Sequence, residues 1–240
     1  VPQLINILYN IVDRMYLGRL PGHLSLTGLG LCLPIISILM GFANLCGTGG
    51  GPIFSICRGQ GDQEEAERVM GNSFSLLLIL GAACTAFCLA FRRPILYLFG
   101  ASDLTFPYAN DYLTIYLLGT LFVMIGLGMN PFINAQGFSR MGMMTVALGA
   151  AVNIVLDPIF IFALDMGVRG AALATVLAQG CSALWVLKFL TGSKTKWHLR
   201  REHLRPQAKV VLPALALGAS PFIMQSTESL ITVCFNSSLL

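Results

Sequence analysis

The chain has 240 residues, 55% of them hydrophobic and only 11% charged, with a mean hydropathy of +0.75. These values exclude a purely soluble globular protein and predict an all-α, polytopic membrane helical bundle. The net charge of +4 does not indicate nucleic acid, because the basic residues are spread as topology signals rather than as one binding face.

Uncharged stretches at 24–57, 73–91, 112–139, 170–187 and 210–227 match the roughly 20 apolar residues that span a ~30 Å hydrocarbon core. A first helix is predicted over 1–18. It opens without the basic region or small-residue cleavage site of a signal peptide, and so abruptly that a truncated start is expected. Pro21 and Gly22 turn the chain into a second helix over 26–57, where Pro34 and GTGGGP (47–52) predict a kink or break. That glycine run lacks the Gly-Lys-Ser/Thr of a phosphate loop, and its expected use is close helix packing. In GQGDQEEAER (59–68), Asp62 is placed to cap the third helix, Glu65 occupies the capping-box position, and Glu64 can pair with Arg68.

The third helix runs to about 91, and RRPILYLFGAS (92–102) forms an outer connection along the interface. A fourth helix over 107–135 carries Tyr116, Asn130 and Asn134 as polar points. A fifth over 141–164 should bend after Pro158. A short turn at 165–169 leads into the sixth, 170–190. The basic stretch 192–209, with His198 and His203 on a solvated face, reads as a linker, and a seventh helix begins near 208. The expected division is a six-helix lobe over 1–191, a cytoplasmic linker over 192–207 and the first helix of a further lobe over 208–240. The seven cysteines lie in or beside apolar runs without metal-ligand spacing and read as packing residues. Ten of the fifteen Lys and Arg residues fall on the linker side of this topology, which places that side in the cytoplasm.

Within this apolar chain Asp157 and Asp13 stand out. An ionisable side chain in hydrocarbon costs at least ~2.5–3.5 kcal/mol and generally serves transport or proton transfer. Asn153 lies one turn before Asp157, on the same face, and Asn6, Asn10 and Asp13 step along one side of the first helix. At ~1.5 Å per residue, Asp157 lies about 12 Å from the turn at Asp165, Asp13 about 9–13 Å from 19–22, and Thr175 about 9 Å from Arg169. The three are therefore expected at one depth. Two readings stay open for each: Asp13 and Asp157 as an ion site or as structural caps, Thr175 as a ligand or as a residue bonded back to its own helix.

YNIVDRMYLGRL, SICRGQGDQEEAERVMGNSF, NPFINAQGFSRMGM, NIVLDPIFIF, GVRGAALATVLAQ and LGASPFIMQSTESL, in this order and spacing, resemble the multidrug and toxic compound extrusion (MATE) transporters over nearly the whole chain. The resemblance implies a twelve-helix fold of two six-helix lobes, of which this chain would supply one lobe and the start of the seventh helix. It implies secondary active export of small amphiphilic or cationic compounds across the bacterial plasma membrane by alternating access, in exchange for H+ or Na+. No enzymatic role, catalytic residue or organic cofactor is implied. The family's lobe site carries over to Tyr9, Asp13, Asn153, Asp157 and Thr175, with Asn130 and Glu228 as further positions. A sodium ion would sit among Asp13, Asn153, Asp157 and Thr175. The partners implied are the lipid bilayer and a C-terminal lobe of the same polypeptide. A flippase for lipids or lipid-linked oligosaccharides is the alternative function. It would favour an arginine-lined groove, which the apolar runs do not supply.

Overall fold

The computed structural model describes residues 2–19 and 23–238. Its described residues form helices α1 (Pro2–Leu17), α2 (His23–Gly59), α3 (Gln63–Ala90), α4 (Arg92–Leu98), α5 (Phe106–Leu118), α6 (Thr120–Ala135), α7 (Ser139–Pro158), α8 (Val168–Thr191) and α9 (Ala208–Ser238), with a π-helical turn at Ile159–Ala163 and a 3-10 turn at Arg201–Leu204. Five helical spans, 23–59, 63–90, 139–163, 168–191 and 208–235, are long and apolar enough to cross a membrane. The pair α5 and α6 makes a sixth if taken as one broken span. Large apolar side chains such as Leu184, Leu212, Leu217 and Ile223 lie exposed on the outside of the bundle, as a lipid solvent requires.

Three local expectations change. The α2 helix is unbroken through Pro34 and Pro52, because its glycine segment is wedged between α3, α6 and α9. The predicted fourth helix instead divides at Gly119 into α5 and α6, which meet at 57°. The side chain of Val176 on α8 occupies the space that a Cβ at Gly119 would need, so the bend follows from a tertiary contact. Finally, Asp62 does cap α3 by accepting the Glu65 N–H at 3.0 Å, but the Glu65 carboxylate turns to Arg68, which also pairs with Glu64. The reciprocal half of the capping box is not made.

Two apolar cores organise the bundle. One surrounds Phe54, Met70, Met129 and Phe132, and the other surrounds Tyr112, Leu113, Leu117 and Ile161. Along one side α9 lies against α2 at backbone contact: a Cβ at Gly49 would meet the Ala214 carbonyl, and one at Gly218 would meet that of Leu45. Phe42 packs on Phe222 with ring centroids 4.7 Å apart, and Asn44 Nδ2 donates to Gln225 Oε1 at 2.9 Å.

The 192–207 segment is not the solvated connection its composition suggests. It is a strap docked across α2 and α3. Trp197 stacks edge-on against Phe54 and lies under the Arg58 guanidinium. Glu67, buried on α3, takes the Arg200 guanidinium at 3.0 Å and the His198 N–H at 3.0 Å. Asn72 Oδ1 accepts the Gln207 N–H at 2.6 Å, and Ser75 donates to the Leu204 carbonyl. His198 and His203 are both half-buried rather than solvated.

Glu67 is the centre of this docking, since its truncation leaves the part-buried His198 N–H without its acceptor, at about 1–3 kcal/mol for an unsatisfied buried group, and releases the half-exposed Arg200 to water. In Glu67→Ala, tryptic cleavage within the strap is expected to accelerate about tenfold or more, because cleavage follows the population of the opened segment. Glu67→Gln keeps one acceptor and should cleave at an intermediate rate. Unchanged cleavage in Glu67→Ala would show that the strap is held by other contacts.

Candidate ion and substrate cavity

Pro158 ends α7 because it has no N–H to give the Ile154 carbonyl. The chain loosens there into the π-helical turn, closed by Leu164 N–H to Ile159 O at 2.9 Å. Asp157, immediately before the proline, is fully buried, and Asn153 and Thr175 are also buried. Asn153 Nδ2 donates to Asp157 Oδ1 at 3.2 Å and to Thr175 Oγ1 at 3.4 Å. Thr175 donates its own proton to the Ala171 carbonyl at 3.0 Å. Its hydroxyl therefore satisfies its helix and accepts from the cluster at once. From α1, Asp13 brings its carboxyl within hydrogen-bonding reach of Asp157.

This cluster is short of positive charge. Asp13 Oδ1, Asn153 Oδ1 and Asp157 Oδ2 are buried acceptors that no donor reaches among the described residues. Buried polar atoms are ordinarily partnered, and burying carboxylate charge without compensation is costly. The all-oxygen set of two carboxyls, an amide and a hydroxyl suits a hard monovalent cation or a shared proton.

The cluster opens into a cavity of about 310 Å³ between α1, α2, α5, α6, α7 and α8, lined by Asp13, Tyr112, Tyr116, Thr145, Asn153 and Thr175, among others. Small residues make this space. Gly126 on α6, with Gly149 and Ala150 on α7, lines it, and Ser182 on α8 closes one side by donating to the Thr145 carbonyl at 3.0 Å. Arg14 lines the cavity as well, but its side chain is exposed.

Of the residues singled out in the sequence, Asp13, Asn153, Asp157 and Thr175 are brought together. Asn130 lines the same cavity but at its other end. Its Nδ2 donates to the Gly142 carbonyl at 3.2 Å, and Gly142 lies about 16 Å along α7 from Asn153 at 1.5 Å per residue. Glu228 stands apart from the cluster. It is exposed on α9 and does not line the cavity, because the face of α9 packed on α2 carries Ala214, Gly218, Phe222 and Gln225, and Glu228 is off that stripe. The side chains of Asn6, Tyr9 and Asn10 lie outside the described residues. Tyr112 and the small residues 126, 149 and 150 are cavity positions missed in the sequence. For the latter, the signal was present as the stripe Thr145, Gly149, Asn153 at one-turn spacing.

Residues 1–159 match the MatE family model. The multidrug export protein MepA of Staphylococcus haemolyticus is 30% identical over 93% of this chain and 50% of its own length. Its Staphylococcus aureus counterpart is 28% identical over 92% of this chain and 49% of its own length. The solved inward-facing conformation of a multidrug resistance MATE family transporter of the MOP superfamily superposes with a TM-score of 0.89 at 28% identity, over 94% of this chain and 51% of that one. The chain thus spans about half the length of the curated relatives it matches.

Proposed function

The chain belongs to the MATE family of membrane transporters, and from that premise we propose that it forms the first lobe of a cation-coupled exporter of amphiphilic or cationic compounds. The observation that carries this reading is the carboxyl pair of the buried Asp157 and the half-buried Asp13, beside a cavity that Asp13 lines, with three buried acceptor oxygens that no donor reaches among the described residues. A site of that kind accepts one positive charge at a time. If the coupling ion and the exported cation take turns satisfying it, exchange follows from competition for the same carboxylates.

The protein's own residues divide the work. Asn153 bridges Asp157 and Thr175 and orients the cluster. The apolar and aromatic wall at Tyr112, Tyr116 and Val123 offers a shape-tolerant surface for amphiphiles. Exchange by alternating access also requires a second lobe, as transporters built on paired repeats use, and the relatives are about twice as long as this chain.

The test is a comparison of two activities in cells producing a polypeptide of the relatives' length that carries this lobe. Expected are reduced accumulation of a fluorescent lipophilic cation and improved growth in its presence, with no acceleration of labelled phospholipid movement between leaflets. Lipid movement without cation export would favour the flippase reading and reject this one.

A further inference from the structure

The strap end of the bundle carries a basic surface that export does not use. Within 192–207 the exposed side chains include Lys194, Lys196, Arg201 and Arg205, against Glu202 as the segment's one acid. Arg200 is already neutralised by Glu67. The acids next to the strap are also occupied: Glu64 and Glu65 hold Arg68, and Asp62 caps α3. Lys188 on the last turn of α8 and Lys209 on the first turn of α9 are exposed and extend the same surface.

We propose that the docked strap is a binding surface for anionic phospholipid headgroups, where Lys194, Lys196, Arg201 and Arg205 hold the phosphate of a lipid such as phosphatidylglycerol. The position selects a lipid over a soluble anion, because the strap joins the same-side ends of two membrane-spanning helices and so lies at headgroup height. Both tryptophans of the chain are at this end, Trp197 in the strap and Trp185 one turn before Lys188, and such aromatics concentrate at the membrane–water interface. The docking through Glu67, Trp197 and Asn72 fixes the backbone from which the basic side chains project. Their order is therefore established before a lipid arrives. Each basic residue near an anionic surface strengthens binding roughly fivefold.

The test is retention of lipid by the purified protein in native mass spectrometry, with phosphatidylglycerol and phosphatidylcholine supplied in equal amounts. Wild type should retain phosphatidylglycerol in preference by about fivefold or more, and the preference should weaken as ionic strength rises. In K194Q/K196Q/R201Q/R205Q it should fall close to unity, while R19Q/R93Q, remote from the strap, should keep it. The milder K194Q/K196Q, which touches none of the docking contacts, should lie between. Equal retention of the two lipids by wild type, an undiminished preference in the quadruple variant, or its loss in R19Q/R93Q would overturn the proposal. Displacement of the lipid by an equal concentration of free glycerol phosphate would overturn it too, by assigning the surface to a soluble anion.

Discussion

Asp157→Asn, in a polypeptide of the relatives' length, is expected to abolish coupled export while leaving folding intact. Asparagine fills the same space and can still accept from Asn153, whose amide now approaches Asp157 Oδ1 at 3.2 Å. What it removes is the charge. Pairing between a buried carboxylate and a cation is worth about 2–5 kcal/mol when one partner is truncated, which corresponds to roughly 30- to 5,000-fold in affinity. The variant should run as wild type in gel filtration and melt no earlier, since removing a buried, uncompensated charge is generally neutral or stabilising. Asp13→Asn should act in the same direction, and because the two carboxyls act on one cation, the double variant should lose little more than either single. Accumulation of a lipophilic cation in cells measures all three. Additive losses would separate Asp13 from the Asp157 site.

Gly49→Val is expected to detach α9 from α2. At this position a Cβ would occupy the place of the Ala214 carbonyl oxygen, and backbone on both sides has no side-chain rotamer through which to yield. Overpacking of a tight contact ordinarily costs about 1–3 kcal/mol, and here the two helices must separate. The readout is a disulfide between cysteines placed at Asn44 and Gln225, whose side chains touch across the same interface. It should form readily with Gly49 and poorly with Gly49→Val. Gly51→Ala is the matched control, since its Cβ would meet only Pro131 Cβ at 3.5 Å, an ordinary contact. Efficient cross-linking in Gly49→Val would show that α9 docks without this close approach.

The parts of the fold and site that were legible in the sequence depend on local periodicity and on the membrane as a ruler. Asp157 and Asn153 share a face because they are one turn apart. Asp13 and Thr175 could be set at the same depth by counting residues from the chain's turns, since the bilayer fixes where those turns lie. The features that escaped depend on distant partners. Gly119 is one glycine among several in an apolar run, and only Val176, 57 positions later, makes it the point of bending. Glu67 sits in a segment whose other acids start a helix, so it reads as one more solvated charge until Arg200 and His198 arrive from beyond α8. The separation of Glu228 from the cluster follows from the rotation of α9, set by Gly218 and Phe222 packing on α2. Composition likewise overstated the solvation of the strap, because its anchors are few and are set among lysines and arginines.

The most direct measurement of the central claim is gradient-driven movement of a lipophilic cation in proteoliposomes of a polypeptide containing this lobe, compared between wild type and Asp157→Asn. An imposed proton or sodium gradient should drive the compound against its own concentration difference in wild type and should fail to do so in the variant, with equal protein incorporated. Movement by Asp157→Asn at the wild-type rate, with the same dependence on the imposed gradient, would contradict the account.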